Sequence, residues 1–273
     1  VNFILVFLEY IEFFIYGLIQ GLTEFIPVSS TAHLKFISSL LGINDPGSSL
    51  SAIIQFGSVL ALIFYFRNYF FKFRSKSSKE IIDQFFNVRL IRSIFIGTIP
   101  IILLGGTIKL FAPNFYYNDL RSNFSIALVS LLMAIFMYIA DSSKKGSINL
   151  KNHNYLDSLL IGISQAFAIV PGVSRSGVTI SSALILGWEK GNAAKISFLL
   201  GIPAISIAAI VELISSFNEV SSFSLYPLIV GLTTTFLSSL LAIDFLLKYF
   251  SRYGLKIFII YRVVFSLIIL LNL

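Results

Sequence analysis

Long, predominantly apolar runs such as Ser51 to Phe66 and Leu255 to Leu273 constrain this chain more than any other feature. Each is near the length that crosses about 30 Å of hydrocarbon. Inside a bilayer the backbone must satisfy its own hydrogen bonds, which leaves helices and closed barrels. Barrel strands alternate polar and apolar residues, whereas these runs are apolar on every face. The expected fold is therefore an all-α polytopic membrane protein. Composition agrees, since 56% of the 273 residues are hydrophobic and 12% are charged. A soluble domain of this length needs more polar surface.

The net charge of +7 does not point to nucleic acid, because the basic residues sit in short loops between apolar runs. There, positive charge sets membrane orientation. The absence of cysteine excludes disulfides and thiolate metal sites. The N-terminus carries Glu9 and Glu12 rather than a basic start and a cleavage site, so it reads as mature protein.

Six runs read as full spans, at about 51–66, 91–111, 123–140, 193–215, 226–247 and 255–272. Two further stretches, about 11–42 and 156–188, are hydrophobic but interrupted by Pro, Ser and charges. The most basic loop, with Arg67, Lys72, Arg74, Lys76, Lys79, Arg89 and Arg92 against Glu80 and Asp83, is expected to be cytoplasmic. Counting outward puts Lys144, Lys145 and Lys151 inside, then Lys190 and Lys195, then Lys248, Arg252 and Lys256. The opposite loops hold only Lys109 and Arg121, or, around Glu219, no cation. All loops agree only if each interrupted stretch is a re-entrant hairpin, the first from outside and the second from inside. The result is one integral-membrane domain over 1–273 with both termini outside. Its inverted repeats, about 1–140 and 141–273, each hold a hairpin plus three spans. Such repeats place a functional site near mid-membrane, where broken helices meet. Gln20 precedes Ser29, and Gln165 precedes Ser174, by the same nine positions.

The first hairpin reads Gln20-Gly-Leu-Thr-Glu24-Phe-Ile-Pro27-Val-Ser29-Ser30-Thr31-Ala-His33. Pro27 ends the incoming helix, and Ser29 or Ser30 caps an outgoing half-helix that runs to Gly42. Gln20 and Glu24 share one helix face, as do Ser30 and His33. The second hairpin reads Pro171-Gly172-Val173-Ser174-Arg175-Ser176-Gly177-Val-Thr179, with a new helix starting at Ser174 or Ser176 and ending near Gly187. Two half-helix N-termini then point at one place and make an anion site. Arg175 adds a planar fork for phosphate oxygens. Ser174, Ser176 and Thr179 add donors. A lone hydroxyl in a membrane helix usually bonds its own backbone. Glu24, His33 and Arg175 differ, because an ionisable group in hydrocarbon costs at least ~2.5–3.5 kcal/mol on insertion scales. Glu9, Glu12 and Glu212 read as interfacial, His153 as solvated in a basic loop, and Asp244 and Arg262 as structurally paired.

These segments resemble the signatures of the bacterial undecaprenyl-diphosphate phosphatase family, the bacitracin-resistance proteins. The first signature corresponds to Gln20 through His33, and the second to Pro171 through Thr179 without a departure. Smaller matches are Gln55-Phe-Gly57-Ser58, Gly97-Thr98-Ile99-Pro100, and Ser197-Phe198-Leu199-Leu200 leading to Pro203. The resemblance implies hydrolysis of undecaprenyl diphosphate to the monophosphate and phosphate. That reaction recycles the carrier lipid for peptidoglycan synthesis and cell shape, and confers bacitracin tolerance. It further implies a divalent cation (Mg2+ or Ca2+), a polyprenyl diphosphate substrate, the bacterial cytoplasmic (inner) membrane, a site opening to the outer face, and a homodimer. Many members have Glu where this chain has Gln20, which is a weaker ligand for a hard cation.

On this reading Arg175, Ser29, Ser174, Ser176 and Thr179 bind the diphosphate, and Glu24, with Gln20, holds the cation. Catalysis falls to Glu24, Ser30, His33 and Arg175. His33 could attack phosphorus, or activate Ser30 or a water, and the sequence leaves these routes open. A transporter or flippase of a phosphorylated lipid is the competing class, since inverted repeats with broken helices also serve transport. A relative that has lost activity is a third.

Overall fold

The computed structural model describes residues 2–41, 47–71, 78–111, 120–144, 146–215 and 223–272. Among them the regular structure is helical, apart from one isolated parallel bridge between Ile148 and Trp188. The helices are α1 (Asn2–Phe25), α2 (Ser30–Leu41), α3 (Gly47–Tyr65), α4 (Arg67–Phe71), α5 (Ser78–Phe111), α6 (Asn123–Asp141), α7 (Tyr155–Ala166), α8 (Arg175–Ile185), α9 (Lys190–Ser215), α10 (Leu225–Tyr253) and α11 (Lys256–Leu271). A 3-10 turn, Phe167–Ile169, follows α7. Lys72, Arg74, Lys76, Lys145 and Glu219, used above to orient the chain, lie outside the described residues, as does Gly42. So do the side chains of Lys79, Glu80, Asp83 and Lys109.

Four described stretches are long and apolar enough to cross a membrane: Val88–Ile108, Asn123–Asp141, Lys190–Ser215 and Leu225–Tyr253. The chain is a multi-pass helical membrane protein. The expected spans at about 51–66 and 255–272 correspond to α3, of 19 residues, and α11, of 16. Helix α1 runs unbroken for 24 residues, beginning well before the expected position 11. No Gly or Pro precedes Gly17 to stop it.

Helices approach closely where side chains are small, as in membrane bundles generally. A Cβ at Gly17 would press on the Gly231 carbonyl, and one at Gly21 would overlap Ser238 Oγ, so α1 lies directly on α10. Gly162 of α7 likewise sits against the backbone of Gly97 in α5. The Tyr16 hydroxyl lies 3.1 Å from Ser38 Oγ, nine residues before the end of α1 and eight after the start of α2, so these helices run antiparallel. Buried Phe25, Phe66, Phe198 and Phe250 form the main core. Leu103, Phe124, Leu132 and Ile260 face outward, as a lipid-facing surface requires.

At one end of the bundle Lys190 pairs with buried Asp141 at 3.3 Å. His153, expected to be solvated, is instead fully buried there. Its Nε2 lies 2.8 Å from Ser93 Oγ and its Nδ1 2.9 Å from the Leu150 carbonyl, with the Trp188 ring alongside. Burial pushes its pKa below the usual value.

Candidate active site

The two chain breaks share one local geometry. Ser29 (φ 77°) and Ser174 (φ 67°) are the non-glycine residues with positive φ among those described. Each immediately precedes a helix start, at Ser30 and Arg175. A residue with a Cβ costs of order 1–3 kcal/mol in that region, and such strain concentrates at functional sites. Ser174 Oγ accepts from Gly177 N at 3.2 Å, capping α8. The helices before the breaks end earlier than proline alone dictates, at Phe25 and at Ala166.

Arg262 holds the two tips together. It is fully buried in α11, and its guanidinium donates to the carbonyls of Ser130 (3.3 Å), Pro27 (3.1 Å) and Gly172. Pro27 lies two residues before Ser29, and Gly172 two before Ser174. One side chain thus grips equivalent carbonyls in both breaks. Ser176 Oγ adds a direct link to the Ile26 carbonyl at 3.3 Å. Arg262 was expected to pair structurally; its partners are backbone carbonyls rather than a carboxylate. Asp244 does pair with a side chain, Lys248, at 2.6 Å.

Between the tips lies a polar cavity of about 140 Å³, lined by Glu24, Ser29, Ser30, Ser174 and Arg175 among others. Ser30 Oγ and Gln20 Nε2 both donate to Glu24 Oε2 at 2.8 Å. Arg175 Nη2 stands 3.8 Å from Glu24 Oε1. Arg175 Nη1 donates to the Ser197 carbonyl at 3.0 Å, and the guanidinium lies so close to α9 that a Cβ on Gly201 would overlap it. Its Nε and Nη2 are buried with no hydrogen-bond partner among the described residues. Buried donors of a cation without a hydrogen bond are costly, and a phosphate's oxygens would satisfy both.

Ser176 and Thr179, expected to bind phosphate, do not line this cavity. Thr179 Oγ1 donates to the Arg175 carbonyl (2.7 Å) and lies 2.6 Å from Ser197 Oγ. The Ser176 hydroxyl meets Ser174 Oγ at 3.2 Å as well as Ile26. Both brace the start of α8 from behind. His33 does not line this cavity either. Its Nδ1 lies 2.7 Å from the Ser29 carbonyl, its Nε2 2.6 Å from the Tyr261 hydroxyl, and its ring stacks on Phe265 at 4.1 Å. Ser30 is therefore paired with Glu24 and not with His33, although the two share a helix face. Tyr261, Arg262 and Gln55, which lines the cavity, carry no motif signal of their own beyond the short Gln55 match.

A second cavity of about 430 Å³ adjoins the first, sharing Thr31, Gln55, Ile101, Ala168, Pro171 and Ala204. Its further lining is mainly apolar, with Ile102, Ile169, Ile207 and Val211, and includes Lys35, Arg121 and Glu212. Together the two make a polar pocket continuous with an apolar chamber.

The sequence profile of the family described as "Bacitracin resistance protein BacA" matches residues 13–268. The chain belongs to that family. Among its curated relatives, the undecaprenyl-diphosphatase of Prochlorococcus marinus strain MIT 9301 is 73% identical over 266 residues, 97% of this chain and 100% of the relative. The protein of the same name from strain MIT 9312 is 74% identical over 267 residues, 98% of this chain and again all of the relative. A more divergent one, from strain NATL2A, is 43% identical over 263 residues, 94% of this chain and 94% of its own length. Both chain breaks and the cavity between them fall inside the matched region.

The family resemblance implied a divalent cation. Among the described residues no three His, Cys, Asp or Glu side chains cluster. The donors at hand are the Glu24 carboxylate and Gln20 Oε1, a buried oxygen without a hydrogen-bond partner. Two hard oxygens suit Mg2+ or Ca2+ when substrate phosphates and water complete the shell, so the residues fit a cation that arrives with the substrate.

Proposed function

We infer that this chain is an undecaprenyl-diphosphatase. It hydrolyses undecaprenyl diphosphate to undecaprenyl phosphate and phosphate, recycling the carrier lipid for cell-wall synthesis and supporting bacitracin resistance. Within the structure, the observation that best supports this reading is Arg175. Its Nε and Nη2, without a hydrogen bond among the described residues, stand beside the Ser30–Glu24 pair, in a pocket that opens into an apolar chamber. The diphosphate occupies the polar pocket and the prenyl tail the chamber.

Phosphoryl transfer is mostly positioning and charge neutralisation. Arg175 Nε and Nη2 bind the terminal phosphate, with Ser29 and Ser174 at the two half-helix N-termini, whose dipoles favour an anion. Glu24 Oε2 takes the proton from Ser30 Oγ as that oxygen attacks the terminal phosphorus. The bridging P–O bond breaks, and the departing undecaprenyl phosphate takes that proton from Glu24. Water, deprotonated by the restored Glu24 carboxylate, then attacks the phosphoserine; the P–Oγ bond breaks, Ser30 Oγ recovers the proton from Glu24, and phosphate leaves. Gln20 Oε1 and Glu24 would hold Mg2+ or Ca2+, whose charge neutralises phosphate oxygens. His33, fixed by Tyr261 and Ser29, supports α2 behind Ser30.

The inverted repeat is part of the same reading. Its support is the matched pair of positive-φ serines, the Pro27 and Gly172 carbonyls gripped by Arg262, and the reciprocal packing of α1 on α10 and α7 on α5. The same reading puts the chain in the bacterial inner membrane with the chamber's Lys35–Arg121 end outward, supported by the distribution of basic loops; a homodimer remains part of the proposal. A flippase reading has no comparable support, since passage between the tips would require breaking the Arg262 contacts.

The test is phosphate release from undecaprenyl diphosphate by the purified protein in detergent. Arg175→Ala should abolish release while helicity and melting temperature stay near wild type. Near-wild-type turnover by a folded Arg175→Ala protein would refute the phosphate assignment.

A further inference from the structure

A third cavity, of about 320 Å³, lies at the opposite end of the bundle from the active-site chamber. Helices α3 and α9 run from Ser51 and Glu212 at the chamber to Tyr65 and Lys195 here. The polar lining is Tyr65, Tyr69, Lys195, Lys248, Ser251 and Arg252; Phe66 and Leu247 supply an apolar wall. Lys248 is neutralised by Asp244 at 2.6 Å, and Asp244 also accepts from the Tyr65 hydroxyl at 3.3 Å. The side chains of Lys195 and Arg252 have no hydrogen-bond or ion-pair partner among the described residues. Among the described residues, the cavity thus carries two cations with no carboxylate partner and hydroxyls around them.

Its position specifies the ligand. Tyr249 and Tyr253 pack ring to ring at 4.9 Å on the last turns of α10, beside Lys248 and Arg252. Together with Tyr65 and Tyr69 they form the mixed aromatic and cationic band that marks the headgroup level of a bilayer. A basic pocket between helices at that level recognises phosphate headgroups. We propose that this cavity binds the phosphate headgroup of an anionic membrane lipid. The site is separate from the catalytic pocket and independent of the reaction assigned to it.

The experiment is native mass spectrometry of the full chain released from detergent carrying phosphatidylglycerol or phosphatidylcholine. Wild type should retain phosphatidylglycerol in preference. The Lys195→Gln/Arg252→Gln double variant should lose it by about twenty-five-fold, roughly five-fold for each cation removed near the membrane surface. Hydrolysis should be unchanged, and a Lys195→Arg/Arg252→Lys variant should retain the lipid, which guards against a folding defect. Equal retention of both lipids by wild type would overturn the proposal, as would undiminished phosphatidylglycerol binding by the double variant. Complete displacement of the lipid by millimolar inorganic phosphate would assign the cavity to a free anion and overturn the lipid assignment.

Discussion

Replacing Arg262 by Met removes the charged fork that joins the two chain breaks while keeping a side chain of similar reach. Three carbonyls, of Ser130, Pro27 and Gly172, lose their guanidinium donors. Buried acceptors left unsatisfied cost about 1–3 kcal/mol each. Against that, the variant no longer buries a charge, which returns several kcal/mol. The two effects largely offset, so the net loss of stability should be modest, about 1–4 kcal/mol. The catalytic loss should be larger in proportion. Ser30 follows one gripped carbonyl by three residues and Arg175 follows the other by three, so their mutual placement depends on the clamp. A misplacement of about 1 Å can cost on the order of 10²-fold in rate. Arg262 does not line the catalytic pocket, so kcat should fall about a hundredfold with little change in KM. Arg262→Lys, with donors radiating from one nitrogen, should recover only part of the rate, since it lacks the rigid fork. The assay is steady-state phosphate release at a temperature where melting curves show each variant folded. A folded Arg262→Met protein with wild-type kcat, or one altered in KM alone, would refute the positioning argument.

Two other perturbations test neighbouring contacts. Gly201→Ala places a methyl where the Arg175 guanidinium lies; activity should drop by at least tenfold, about 1.4 kcal/mol, with melting nearly unchanged, and full activity would show that Arg175 works from another position. Gln20→Glu sets a second carboxylate 2.8 Å from Glu24 Oε2, where two like charges need a proton or a cation between them. Turnover should become more steeply dependent on added Mg2+ or Ca2+, and an unchanged titration would place the cation elsewhere.

The chain breaks were legible in the sequence because their causes are local. Pro27 and Pro171-Gly172 stop a helix wherever they stand, and the four-residue spacing of Gln20 and Glu24 fixes their common face whatever packs nearby. The partners of His33 were not legible, because its three-residue spacing from Ser30 says only that the two can be neighbours. The turn of α2 against α11, which delivers His33 to Tyr261 and Phe265 and leaves Ser30 to Glu24, is a tertiary outcome. Arg262 had no readable partner because backbone carbonyls carry no side-chain signature. His153 read as solvated from its basic loop, yet Ser93 and Trp188, distant in sequence, enclose it. Composition told membrane from soluble; it could not tell that α1 begins well before position 11.

The central claim is that Ser30, paired with Glu24, receives the terminal phosphoryl group. Rapid quenching of the wild-type protein with undecaprenyl diphosphate labelled on that phosphate, followed by peptide mass spectrometry, tests it most directly. The account predicts an acid-stable phosphate on Ser30 that is absent from Ser30→Ala and Glu24→Gln. Label on His33, or single-turnover hydrolysis with no phospho-enzyme at any quench time, would contradict it.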